Sequence, residues 1–288
     1  MSATVVQLGF KAFDAHELLC HFVAEEAGLY KRHRLQIRLT DITFANDADL
    51  PQDMYQVSCG AALSSALQGA SQQIVFVATD KPMFWLYASR HIDSLKDLKN
   101  KHLATFPAIA PPGHLANIIL QTAGVDPETD IALSPCRDDV ARFGLLKTGG
   151  ADAAVISSAI SPMTVEKAGF RELCFFGDML RIPTTGLAAH ETQLQRNAGL
   201  VETLVAVLRE SLQLLHSDPG LVAYILHHYF DVPADISDET AATYERLFTH
   251  DGKTKPEIAQ QAVDSLCRSL RIDTPVAWTE IYRFPSVG

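Results

Sequence analysis

Apolar positions in the first hundred residues fall into short runs that alternate with longer amphipathic stretches. Val5 to Gly9 reads as a strand, and residues 14–28 carry Leu18, Leu19, Phe22 and Val23 at helical spacing before Gly28 breaks the pattern. Leu35 to Thr40 and Ile74 to Thr79 read as strands, Val57 to Cys59 as a short buried strand, and Gly60 to Leu67 as a helix of small residues. A second series begins near residue 92. Its strands are predicted at Leu103 to Phe106, Ile131 to Pro135, Ala153 to Ile156 and Leu173 to Phe176. Helices over 114–123, 138–148 and Met163 to Ala168 separate them, and Pro111-Pro112-Gly113 reads as a turn. Residues 192–283 are predicted to be mainly helical, with Leu204, Val207, Leu208, Leu212 and Leu215 on one face.

Such alternation favours parallel sheets with helices on both faces, because each parallel step needs a crossover that must bury its own apolar stripe. The expected class is α/β, with two Rossmann-like lobes joined by a two-strand hinge and a helical C-terminal third. Connections near residues 84–91 and 178–188 would carry the chain out and back. Residues 1–85 with 186–288 would then form one discontinuous lobe and residues 86–185 the other. Ligands bind at the carboxyl ends of strands in sheets of this kind, so the loops at 9–16, 58–61 and 79–85 are expected to border an interlobe cleft.

Composition narrows the partners. The chain has 288 residues, 47% of them apolar, which is enough for a core in each lobe. Its 34 acidic against 24 basic residues give a formal charge of -10, so nothing draws a phosphate backbone toward it, and nucleic acid is not expected as a partner. No apolar run approaches the roughly 20 residues that cross a bilayer, so no direct membrane insertion is expected. Val5 to Leu8 already reads as a strand where a secretory leader would lie. Cytoplasmic placement is therefore expected for the chain as it stands, or periplasmic or lipid-anchored placement if a leader has been removed. Cys20, Cys59, Cys136, Cys174 and Cys267 are odd in number and scattered, without a Cys-x-x-Cys pair, and read as reduced thiols.

Several stretches resemble one family. Phe22 to Tyr30 followed by Leu35-Gln36-Ile37 looks like the helix, glycine, aromatic and strand of the thiamine-precursor and alkanesulfonate substrate-binding proteins, the NMT1/THI5-like and SsuA-like group. Ile92 to Lys101 is similar to the segment that opens that family's second lobe. Ala123-Gly124-Val125-Asp126-Pro127 and Gly149-Gly150-Ala151-Asp152-Ala153 are similar to two further landmarks. The resemblance runs from about residue 5 to residue 185. It implies the type II periplasmic-binding-protein fold and capture of a small solute, such as a thiamine-pyrimidine-like compound or a sulfonate. The chain would be the binding component of an ABC-type uptake system, partnered by a permease, or an intracellular relative, and would be a monomer. The alternative implied is a thiamine pyrimidine synthase-like enzyme using pyridoxal phosphate, for which Lys11 or Lys81 would hold the cofactor. The consecutive-cysteine cluster typical of that branch is missing, so the leading expectation carries no cofactor, no catalytic residue and no metal ligand.

Candidate ligand groups follow from position and chemistry. Phe10, Lys11 and His16 follow the first strand and offer a ring, a cation and an imidazole beside Phe13 and Asp14. Cys59 and Gly60, after Ser58, form a strand-to-helix turn with free backbone donors. Lys81 and Trp85, with Phe84, would begin the first crossing. Pro112, Gly113 and His114 lie at a helix start where an anionic or polar group is received, and His114 stands where the family usually has Gly-Ser. Arg137 could form a bidentate pair with a carboxylate or phosphate. Ser157 and Ser158, with Ser161, offer hydroxyls where the family often has an acidic residue before proline, and Thr185, beside Thr184, lies on the return crossing. His227, His228 and His250 have no acidic or cysteine partners at ligand spacing and read as surface or packing residues. No nucleophile elbow, phosphate loop, His-Glu-x-x-His or Gly-x-Gly-x-x-Gly occurs.

Overall fold

Alternation decides the first strand. In β1 (Thr4–Phe10), Val6, Leu8 and Phe10 turn inward at 2%, 0% and 8% exposure while Val5 stays 43% exposed. In this computed structural model, which describes residues 3–108 and 110–285, the chain divides into two units. The first takes the residues up to Lys81, Arg181–Asp231, and those from Ala241 onward. The second takes Pro82–Leu180 and the short excursion Val232–Thr240.

In the first unit, helix Ala15–Glu26 begins at Asp14, whose carboxylate accepts from the Glu17 amide at 3.0 Å, and the chain leaves it through Gly28 at φ +67°. β2 (Leu35–Asp41), β3 (Met54–Ser58), helix Cys59–Leu67 and β4 (Gln72–Thr79) follow. Leu18, Leu19 and Val23 are fully buried where their helix packs on helix Ala198–Ser217, whose Leu204, Val207, Leu208, Leu212 and Leu215 form the expected inner face. Each such leucine contributes about 1.5–3 kcal/mol by leaving water. On the other side, Ala62 and Leu63 pack with Ile74, Ala188 and Val263 of helix Pro256–Leu270.

The second unit contains β5 (Phe84–Ala88), β6 (His102–Thr105), helix Pro111–Thr122, β7 (Ala132–Pro135), helix Asp139–Thr148, β8 (Ala153–Ser157), helix Pro162–Lys167 and β9 (Arg171–Phe175). β10 (Thr185–His190) belongs to the first unit. The sheet orders are β2-β1-β3-β10-β4 and β7-β6-β8-β5-β9. Both follow one plan. Three parallel strands are followed by one antiparallel strand, β10 or β5, and an outer strand pairs with that inserted strand.

Three sequence readings need correction. Residues 84–91 and 178–188 read as connections, yet they supply β5 and β10, so neither sheet is purely parallel. Pro111-Pro112-Gly113 read as a turn but forms the first turn of a helix, because proline's fixed φ suits that position and its missing N–H is not needed there. Gly186 makes β10 possible: a Cβ there would lie 2.0 Å from the Phe76 carbonyl oxygen.

The outer edge of β4 is closed by two later segments. The Val77 amide donates to the Gly252 carbonyl at 2.9 Å and Thr249 donates to Ala78 at 2.7 Å. Further along, Ile74 donates to Ile281 and Arg283 donates to Ile74, both at 2.8 Å. Gly252 sits at φ +74° with the Phe76 ring where a Cβ would stand. Among the described residues no helix is long and apolar enough to cross a membrane, and all five cysteines are free thiols.

Candidate functional site

In the first unit, polar side chains converge where β1 and β3 end and β10 begins. His16, 6% exposed, places Nε2 2.8 Å from the Thr184 hydroxyl, which itself lies 3.3 Å from the Thr79 carbonyl. With that hydroxyl proton directed at Thr79, His16 is the donor through Nε2–H. Burial lowers the His16 pKa to about 3, so the imidazole is neutral. One residue on, the Glu17 carboxyl accepts from the amides of Lys11 at 2.7 Å and Ala12 at 3.2 Å and shares a hydrogen bond with Ser58. Burial first, and the neighbouring Asp14 charge second, push the Glu17 pKa up to about 8, so this carboxyl holds its proton at neutral pH.

Ser58 closes β3, and the Gly60 amide behind it donates to the Thr184 carbonyl at 3.2 Å. Thr185 lies in register with both Ser58 and Thr79 and is 1% exposed. Its hydroxyl has no hydrogen-bond partner among the described residues, and neither do the two amide atoms of Gln56, also 1% exposed, two positions before Ser58 on β3. A buried polar atom left unpaired costs about 1–3 kcal/mol, which makes these atoms candidates for bonds to something else.

The other first-unit candidates are placed as follows. Phe10 is 8% exposed and meets the 53% exposed Phe13 edge-on at 5.7 Å, and Phe13 continues to Phe22 and Phe230. Cys59 is fully buried, its thiol directed at the Phe76 carbonyl and its pKa driven upward by burial. Lys11 is engaged: its ammonium lies 2.6 Å from Asp47 and donates to the Ala45 carbonyl. Lys81 donates to the Arg246 carbonyl at 2.9 Å.

In the second unit, Trp85 is 3% exposed and stacks on Phe175 at 4.9 Å, a core position within the sheet. Pro112 and Gly113 stand in the first helical turn, where a Cβ on Gly113 would meet the Pro107 carbonyl oxygen at 2.2 Å. That glycine admits the chain's own backbone. His114 and Arg137 are exposed, and Arg137 follows the outermost strand β7. Ser157 and Ser158 are buried at the end of β8. The Ser157 amide and hydroxyl both donate to Asp139, at 2.8 and 2.9 Å. Asp139 also pairs with Arg142, which is fully buried, donates to Val155 and Cys136 at 2.7 and 2.6 Å, and lies 3.5 Å over the Phe106 ring. Nearby in sequence, Thr105 at the end of β6 keeps a buried hydroxyl without a partner among the described residues.

Sequence reasoning brought together Phe10, His16, Ser58 to Gly60 and Thr185, and overlooked Glu17, Gln56, Asp139 and Arg142. One signal was available: Asp14-Ala15-His16-Glu17 has capping-box spacing, which puts an acid at the third helical position. Here that acid reaches past the cap to Lys11 and Ala12. His227, His228 and His250 are exposed, Tyr224 stacks on His228 and His216 lies against His250, and no metal-ligating group occurs among the described residues.

Comparison with known proteins adds three findings. A family model described as NMT1/THI5 like matches residues 18–221. No curated protein matches in sequence. Among solved structures, the chain is similar to the periplasmic aliphatic sulphonate binding protein SsuA from Escherichia coli, with TM-score 0.76, 18% identity and coverage of 99% of this chain and 94% of that one. It is also similar to a ligand-binding component of an ABC-type import system from Staphylococcus aureus, solved with zinc bound, at TM-score 0.73 and 14% identity over 98% and 97% of the chains. A third similar structure is the desulfurization enzyme DSZB, at 0.69 and 13% over 96% and 95%. All three share the fold with this chain. Their differing functions follow from their sites and not from the architecture.

Proposed function

Because the chain belongs to the NMT1/THI5-like family, we propose that it binds a small molecule reversibly, with the strand ends of the first unit supplying its principal contacts. One observation carries this reading. Thr185 holds a hydroxyl, 1% exposed and unpaired among the described residues, in register with Ser58, beside the bonded pairs His16–Thr184 and Glu17–Ser58. An arrangement that neutralises His16 and Glu17 by burial, and leaves one hydroxyl over, suits a guest that brings its own hydrogen-bonding edge. Phe10 and Phe13 would present rings to a flat ligand. The role of a binding component for an ABC-type importer, with a permease as partner, follows by analogy with the similar import protein.

Pyridoxal phosphate chemistry receives no support from the lysines that would serve it. The Lys11 ammonium is held by Asp47 and Ala45, and that of Lys81 by Arg246. As placed, neither amine fits the cofactor.

Native mass spectrometry of the purified protein, followed by a thermal-shift screen of pyrimidines, flavins, sulfonates and small acids, tests the proposal. A ligand at about 100 times its Kd adds about 2.7 kcal/mol, a shift of several degrees in a chain this size. A protein that carries nothing and responds to no compound would defeat it.

A further inference from the structure

One stretch of the helical C-terminal third belongs to the second unit. Residues up to Asp231 and from Ala241 onward are part of the first, but Val232–Thr240 packs within the second. Asp231, at φ +53°, turns the chain into this excursion. Val232, Ile236, Ser237 and Thr240 are buried, while Pro233, Ala234, Asp235, Asp238 and Glu239 are exposed. Two polar contacts hold the segment. The Thr240 hydroxyl, with no exposed surface, lies 2.8 Å from the hydroxyl of the buried Ser161. Nearer the start, the Lys167 ammonium meets Asp235 at 2.8 Å, an exposed pair that contributes little. A further contact works against them. Burial first, and the Glu239 charge second, raise the Glu166 pKa, so the segment brings a like charge to helix Pro162–Lys167.

Ser161 connects this segment to the end of β8. Its carbonyl accepts from the Thr164 and Val165 amides at 2.9 and 3.3 Å, which starts helix Pro162–Lys167. The turn before it is closed by the Ile160 amide on the Ser157 carbonyl and the Ala159 amide on the Ser157 hydroxyl, both at 3.2 Å. Two apolar side chains and one hydroxyl pair only narrowly offset the ordering of the residues from Val232 to Thr240. β8, in contrast, is buried along its whole length. A segment so lightly held opens without its unit unfolding.

We propose that Val232–Thr240 is a releasable strap: docked, it fixes the turn at residues 158–161 through the Thr240–Ser161 hydroxyl pair, and released, it frees that turn while β8 stays folded. The strap thereby governs whether Ser158 and Ser161, two buried polar residues after this strand, are held or mobile. Glu239, acting on Glu166, keeps the docked state from being too firm to leave. The strap's behaviour does not depend on what the first unit binds.

The experiment is hydrogen exchange of the whole chain at pH 7, read by mass spectrometry. Amides of residues 232–240 and 159–165 are expected to exchange together, about tenfold or more faster than those of Ala153–Ile156. Thr240→Val, close in shape, strands the Ser161 hydroxyl and should speed both segments about tenfold with Ala153–Ile156 unmoved, and Thr240→Ser should return both to the wild-type rate. Glu239→Gln removes the like charge and should slow both about twofold. The Tm of each variant confirms that it folds, and because Glu239 is exposed, its variant decides the matter if Thr240→Val does not fold. Acceleration of the strap alone, exchange of both segments only at the rate of Ala153–Ile156, or no slowing in Glu239→Gln overturns the proposal.

Discussion

Two serines end corresponding strands in the two sheets, and the hydroxyl of each is hydrogen-bonded to a carboxyl. Ser58 at the end of β3 meets Glu17, and Ser157 at the end of β8 meets Asp139. What neutralises the acid differs. Asp139 has the guanidinium of Arg142 beside it, locked by carbonyls and a phenyl ring, whereas Glu17 has no ion-pair partner among the described residues and keeps a proton instead. One strand end is braced by an ion pair, and the other by an acid whose pKa burial raises to about 8. Sensitivity to mutation should therefore be greatest in the second unit and sensitivity to pH greatest in the first.

Breaking the ion pair gives the largest expected effect. Arg142→Ala removes a fully buried guanidinium, leaves the half-buried Asp139 without its cation and empties the space over Phe106, and should cost about 3–5 kcal/mol. Differential scanning calorimetry should show the loss, and a change below about 1 kcal/mol would mean that the pair is not what holds the end of β8.

Next in size is a contrast between two helical glycines. Gly113→Ala forces a methyl group against the Pro107 carbonyl and should cost about 1–3 kcal/mol. Gly60→Ala, with nothing within 4 Å of its added carbon, should instead stabilise its helix by about 0.5–1 kcal/mol. Denaturant titrations of the two variants should move in opposite directions.

The smallest effect at neutral pH is also the most specific. Glu17 titrates at about 8 in the folded chain against 4.5 when unfolded, so the folded state binds the extra proton, and its contribution is full below 4.5 and lost as pH rises through 8. His16 and His21, lowered to about 3 and about 4 by burial, work the other way: their contribution is present above 6.5 and lost as pH falls. Between pH 6.5 and 9 only the Glu17 slope remains among these three. Tm should fall by several degrees over that window, and Glu17→Gln, whose amide oxygen can accept the same two backbone bonds, should flatten the fall. An unchanged slope in the variant would place the sensitivity elsewhere.

Much of this architecture was legible because it is local. The run Val5 to Gly9, the spacing of Leu18, Leu19 and Val23 and the break at Gly28 each state their structure within a dozen residues. β5 and β10 did not declare themselves. Phe84 to Ala88 has the composition of a strand, but its position suggested a connection, and the partners of β10 lie more than a hundred residues earlier. The site divides the same way. Groups that flank a strand end, such as His16 and Ser58, were found by position. The engagement of Lys11 by Asp47 and the burial of Arg142 depend on neighbours that no local pattern reveals.

The doubly closed border of β4 carries a consequence for how this protein is made. An outermost strand with its amides and carbonyls open would be a template for any passing extended chain. The stretches around Gly252 and Tyr282 stitch that border shut, and both leave the ribosome long after β4 itself. For most of its synthesis, then, the nascent polypeptide carries an unguarded seam, and removing the stretch around Tyr282 should yield material that folds in part and clumps.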